Sequence, residues 1–184
     1  MLKQKGKYII LSLLLAIMFS CTKAVDFNQA DDLKIEPVVE SSIVFFKGTA
    51  SNFFAGGSEV SVIQDAISIS VFDDDFIQDN LVKSEFVFES TNSFNRGFSM
   101  QIDFLNEINE VHHTLTFTAP ASPSNQDVVT THTEVFEGDS LTDLKNTKSL
   151  VITLTMLSGT PITLNTVGEI NLQSKGVFYL NIES

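Results

Sequence analysis

The chain has 184 residues, 43% of them hydrophobic, with 23 acidic against 11 basic residues and a formal net charge of −12. So acidic a surface repels nucleic-acid phosphates and anionic lipid head groups, and beyond residue 20 no basic cluster interrupts it: Lys145 and Lys148 form the closest pair, with Asp143 beside them. Cys21 is the single cysteine, which leaves no second thiol for an intrachain disulfide, a redox motif or a cysteine metal site, so stability has to come from a hydrophobic core.

The first predicted element is a secretion signal. Lys3, Lys5 and Lys7 make a basic start, and no acid occurs before Asp26. Tyr8 to Phe19 is an apolar run broken only by Ser12. It is shorter than the about 20 residues a membrane-crossing helix needs and has the length and flanks of a signal h-region. Met18-Phe19-Ser20-Cys21 follows. These residues resemble the end of a bacterial lipoprotein signal, where a small residue, here Ser20, precedes a cysteine that is lipidated and becomes the mature N-terminus. The resemblance covers residues 1–21 and implies an acyl anchor, such as palmitate, on Cys21. Burial of acyl chains contributes about 0.8 kcal/mol per methylene, and a stable anchor takes more than one chain. Loss of residues 1–20 removes three lysines and no acid, which moves the formal charge from −12 to −15. Residues 21–33 read as the acylated N-terminus and a polar, acidic tether without periodicity. No acidic run directly follows Cys21, so the expected location is the outer membrane with the domain facing the periplasm.

From Lys34 the dominant period is two, the spacing of strands with one dry and one wet face. Ile35 and Val38-Val39 flank Pro37 and suggest an edge or bent strand, and Ser42 to Lys47 a strand with apolar residues on both faces. Ser51 to Gly57 is a turn, in which Gly56-Gly57 supplies positive φ angles. Glu59 to Phe72 holds one or two strands. Asp73 to Asn80 is a loop or one helical turn. The clearest alternation follows: Phe86 and Phe88 oppose Glu85, Val87 and Glu89, and Phe98, Met100, Ile102 and Phe104 alternate with Ser99, Gln101 and Asp103. Thr91 to Gly97 and Asn106 to Glu110 are turns. Leu115 and Phe117 alternate with threonines, Ala119 to Gln126 is a longer loop, and Val128 to Phe136 is a weaker strand. Leu141 to Thr147 is the one short helix expected after the signal. Leu150, Ile152, Leu154 and Met156 mark another strand, and Ile170 to Ile182 a last pair or one long bent strand with Phe178, Leu180 and Ile182 inward. The expectation is therefore an all-β chain: a single two-sheet antiparallel β-sandwich over residues 34–184, immunoglobulin-like, with about 7–9 strands.

Few residues suggest chemistry. Gly138-Asp139-Ser140-Leu141 spells the signature of GDSL-type esterases, a resemblance that implies Ser140 as nucleophile. That family's serine lies near the start of an α/β domain and depends on a late histidine, whereas no histidine follows Ser140 here. The competing reading makes Ser140 a helix N-cap, with Asp143 completing a capping box. Asp73-Asp74-Asp75 and Asp79 could offer oxygens to calcium. Counted from Asp73, however, an EF-hand would need glycine where Gln78 stands and glutamate where Ser84 stands, so a solvated acidic turn is expected. His112 and His113 are adjacent on a strand and point to opposite faces unless a bulge intervenes; His132 is isolated. Phe45-Phe46 and Phe53-Phe54 each place one ring outward, where helices, loops or the N-terminal segment are expected to cover it. Without tryptophan, and with Tyr179 the single tyrosine beyond residue 20, aromatic platforms for sugars are scarce.

The sequence thus points to a lipid-anchored envelope protein that acts as a non-catalytic binding or scaffolding module. No catalytic residue, metal or cofactor is expected, nor any nucleic acid. The membrane is reached through acyl chains on Cys21, and a protein partner is left open. An envelope hydrolase using Ser140 and a surface adhesin or glycan-binding lipoprotein are the alternatives.

Overall fold

A computed structural model describes residues 34–183 of the chain. The signal, Cys21 and the tether to residue 33 lie outside the described residues. Ile35–Ile182 form one compact unit. Within it, eight strands of seven residues or more carry the architecture: β1 Val38–Thr49, β2 Val62–Ser68, β3 Leu81–Asn92, β4 Phe98–Leu105, β5 Val111–Ala119, β6 Val128–Phe136, β7 Ser149–Met156 and β8 Glu169–Leu180.

They pair as two antiparallel four-stranded sheets, in the orders β1-β8-β3-β6 and β2-β7-β4-β5. The two-sheet sandwich expected from the alternation is present, and its strand order refines the immunoglobulin-like expectation. Immunoglobulin domains group consecutive hairpin partners, ABED against CFG. Here β1, β8, β3 and β6 form one layer and the other four strands the second, so the chain crosses between layers at most connections. That order is a jelly roll.

Alternation decides which side chains meet in the middle. Phe86 and Phe88 on β3 and Phe98, Met100, Ile102 and Phe104 on β4 are all fully buried. The Phe86 ring lies 5.9 Å from that of Phe104 in the opposite sheet, 5.4 Å from Phe136 and 6.2 Å from Phe178. A second ring group, Phe53, Phe94 and Phe98, plugs one end, with centroids 5.1 to 5.9 Å apart. Burying each such side chain contributes about 1.5–3 kcal/mol, so phenylalanines do here what disulfides cannot.

Several local expectations are met or corrected. Gly56 and Gly57 have φ of 59° and 83° and close a small hairpin between Phe54–Ala55 and Ser58–Glu59. Asn109 takes φ 61°, and the Asn106 carboxamide oxygen accepts from the Ile108 and Glu110 amides at 3.1 and 2.9 Å, which builds the β4–β5 turn. Of the stretch from Ile170 to Ile182, the part to Leu180 is one long strand, and Ile182 begins a separate two-residue strand. The acidic stretch contains a one-turn helix, α1 Asp75–Asn80, capped by Asp74, whose carboxylate accepts from the Phe76 and Ile77 amides. The other helix, α2, spans Asp139–Lys145, two residues earlier than expected, and its N-cap is Gly138 at φ 56°. Ser140 is therefore inside the first turn, not the cap, and the expected capping box is absent. Its hydroxyl instead donates to the Glu137 carbonyl at 2.9 Å.

Candidate functional site

The sandwich is open along the seam where β5, at the edge of one sheet, runs beside β6, at the edge of the other. Side chains facing inward at such a seam cannot be wholly apolar, because water reaches them. On β6 the inward positions are Thr130, His132, Glu134 and Phe136, all at least half-buried. On β5 the register to β4 shifts between Phe104 and Leu105, leaving His112 as an extra residue. This is the bulge that adjacent histidines need in order to avoid opposite faces.

The bulge splits the two histidines between separate partners. His112 Nε2 lies 3.2 Å from the Thr147 hydroxyl, and its Nδ1 is 3.9 Å from Asp143, at the end of α2. His113 Nε2 is 2.9 Å from one carboxylate oxygen of Glu134, and His132 Nε2 is 3.2 Å from the other. Each imidazole donating Nε2–H to its own oxygen satisfies the carboxylate from both sheets. The rings are held in turn by the core. His113 sits edge-on to Phe136 at 4.9 Å, and His132 stacks on Phe117 at 5.4 Å with planes 2° apart. Sequence reasoning treated His132 as isolated. The separation of His113 and His132 along the chain conceals a meeting that depends on which strands form the two sheet edges.

The remaining sequence candidates are occupied locally. Asp73 pairs with Lys148, and Asp74 caps α1. Among the described residues no three histidine, cysteine, aspartate or glutamate side chains are placed to hold one metal ion. Phe53 is fully buried, and Phe54 is partly covered. Phe45 departs from the expectation of cover, since it is 69% exposed on the edge strand β1. Arg96, read from the sequence only as part of a turn, proves to be a clamp. Its guanidinium donates to the carbonyls of Leu157, Gly159 and Thr160 and lies 3.6 Å from Glu59, which itself accepts from the Ile162 amide at 2.6 Å. Only the tertiary position of the 157–162 loop discloses that role.

The outer face of the β1-β8-β3-β6 sheet is a lattice of charge pairs, two between strands and one along β3. Lys47 pairs with Glu169 at 2.7 Å, Lys175 with Glu40 at 3.1 Å and Lys83 with Glu85 at 2.6 Å. Hydrogen bonds from Lys47 first, and then from Asn171, hold the Glu169 carboxyl below its ordinary value against the opposing effect of burial. Glu85 is lowered chiefly by its hydrogen bond from Lys83, and Lys83 is raised chiefly by the same bond. Where β1 bulges against β8, the face sinks into a shallow depression of about 350 Å³, bordered by Glu40, Ser42, Glu89, Gln173 and Lys175. Among the described residues no helix is long and apolar enough to cross a membrane.

No family model and no curated protein matches the chain. Solved structures resemble it only in outline. A Parabacteroides distasonis protein provisionally described as secreted shares 15% identity at a TM-score of 0.42, covering 62% of this chain and 36% of its own. The infectious bursal disease virus VP2 subviral particle shares 11% at 0.43, covering 80% and 33%. The Desmodium yellow mottle tymovirus structure shares 8% at 0.33, covering 82% and 91%. The chain spans about a third of the length of the first two of these. Likenesses this distant carry no argument about function.

Proposed function

We propose that the protein is a lipid-anchored module of the bacterial envelope, held in the outer membrane by acyl chains on Cys21, facing the periplasm and acting by binding or scaffolding, not by catalysis. The location is supported by the basic, apolar and Ser20-Cys21 segments of residues 1–21. One observation carries the non-catalytic reading. Ser140 and the three histidines are bonded into the scaffold: the Ser140 hydroxyl to the Glu137 carbonyl, His112 to Thr147, and both His113 and His132 to Glu134. A nucleophilic serine needs a base within hydrogen-bond reach, and Ser140 spends its proton on its own turn.

Cell fractionation tests the location. The protein is expected to co-sediment with outer membrane on a density gradient and to resist protease added to intact cells. Recovery in the cytoplasm, or complete digestion from outside, contradicts the reading. An esterase assay tests the absence of chemistry. The pure protein is expected to leave short-chain aryl esters unhydrolysed, and a turnover abolished by Ser140→Ala would overturn that part.

A further inference from the structure

The strand β1 is an edge. Among the described residues it pairs only with β8, through eleven of its twelve residues, and its other side presents unpaired backbone groups. Val38, Val39 and Phe45 on it are 55%, 46% and 69% exposed. Natural proteins commonly blunt such an edge with charge, and β1 carries two charges, Glu40 and Lys47.

Their placement does the opposite of blunting. Residues seven apart on a regular strand face opposite sides of the sheet, because the side-chain period is two. The register of β1 on β8 shifts between Ser174, paired with Val44, and Lys175, paired with Ser42, so that Ile43 is an extra residue. That bulge brings Glu40 and Lys47 to the same outer face, where each meets an opposite charge on β8, Lys175 and Glu169. Gly176 makes the bulge possible: a Cβ there would lie 2.7 Å from the Phe178 ring and 3.0 Å from Ile43 Cδ1.

The strand is therefore antisymmetric in charge about its middle and symmetric in which face each residue takes. A second copy laid antiparallel along β1, with Glu40 opposite Lys47 of the second copy, puts every other pair on matching faces as well. Ser42 meets Phe45, Ser41 meets Phe46, Val39 meets Gly48 and Val38 meets Thr49. Ile43 of each copy falls opposite Val44 of the other, one pair on each side of the two-fold axis, so the two bulges lie side by side. Across the outer face the charges then run Glu169, Lys47, Glu40, Lys175, alternating in sign through the junction. Without the bulge, the same register would place Glu40 and Lys47 on opposite faces.

We infer that β1 is a self-recognition edge: two copies of this chain join through their β1 strands as a two-fold dimer, continuing the β1-β8-β3-β6 sheet into one of eight strands. The interface is isologous, and it uses backbone hydrogen bonds for attraction and the Glu40–Lys47 pairs for register. It does not depend on the acyl anchor, so failure of either reading leaves the other standing.

The test uses the full chain carrying Cys21→Ser, in which introduced thiols are the only ones. The double variant Val38→Cys/Thr49→Cys keeps both charges and places the two thiols opposite each other only between copies. Within one chain they are roughly 30 Å apart, as are the two copies of either single cysteine, against the about 4.5 Å between Cβ atoms that a disulfide tolerates. Under oxidised glutathione the double variant is expected to give covalent dimer about tenfold more readily than either single variant, in line with that geometric limit. Adding Lys47→Glu, which faces Glu40 of the second copy with a like charge, is expected to abolish the excess. Equal cross-linking by single and double variants overturns the proposal, as does an excess that Lys47→Glu leaves unchanged. Sedimentation equilibrium of the Cys21→Ser chain supplies a readout free of engineered thiols. Mass rising toward twice that of the chain with concentration is expected, and a monomer throughout the series overturns the inference.

Discussion

At the residue scale, the phenylalanines divide by position and not by type. Phe86 is fully buried against four other rings, whereas Phe45 is 69% exposed. Truncating a buried phenylalanine removes its transfer energy and leaves a cavity, so Phe86→Ala is expected to lower unfolding free energy by about 3–5 kcal/mol in a urea titration. Phe45→Ala is expected to stay within about 0.5 kcal/mol, as surface changes do. Equal costs would mean that the rings are not partitioned as described. Titration follows the same local logic. Glu169 and Glu85 are lowered in the folded state, so the stability they contribute is complete above the carboxylate value of the unfolded chain and is lost as pH falls through their folded values. Lys83 is raised, so its contribution is lost only as pH rises through its folded value. Lys47→Met removes the first cause of the Glu169 shift, and carboxyl NMR is expected to show Glu169 titrating at higher pH while Glu85 does not move. An unmoved Glu169 would show that Lys47 does not hold it.

At the element scale, the strands with one wet and one dry face were legible from the sequence and the edges were not. Phe98 to Phe104 alternate strictly because β4 lies second from the edge of its sheet, with the core on one side and solvent on the other. Nothing comparable marks β1. Its N-terminal half is exposed on both faces, so alternation there is weak, and a bulge breaks the parity in mid-strand. Helix α2 shows a different limit. The Gly-Asp-Ser string suggested Ser140 as the cap, but Gly138 at φ 56° turns the chain into the helix two residues sooner. The bulge itself gives the prediction at this scale. Gly176→Ala forces a methyl against Phe178 and Ile43, and such overpacking costs about 1–3 kcal/mol. Gly57→Ala, a control with no heavy atom within 4 Å, is strained only by its φ of 83°. Thermal melts are expected to show Gly176→Ala as the variant rescued by Ile43→Ala, since the second change removes one of the two obstructing side chains. Rescue of both variants, or of neither, would contradict the packing described at the bulge.

At the scale of the whole molecule, long-range pairing decides what periodicity leaves open. A sandwich follows from alternating strands, but whether neighbours in the chain become neighbours in a sheet depends on contacts between distant segments: β8 lies between β1 and β3, and β7 between β2 and β4. The same distance hid the seam where His113 and His132 share Glu134, and the position from which Arg96 clamps the 157–162 loop. Seen whole, the domain offers bonded polar groups at its seam, a charge lattice on one outer face and an edge suited to a copy of itself, on a scaffold whose proposed attachment lies in residues 1–21. Mass spectrometry of the N-terminal peptide, from protein isolated from its own membranes, tests that attachment most directly. The account predicts a chain beginning at Cys21 and heavier by its acyl groups; an unmodified Cys21, or a mature terminus elsewhere, would contradict it.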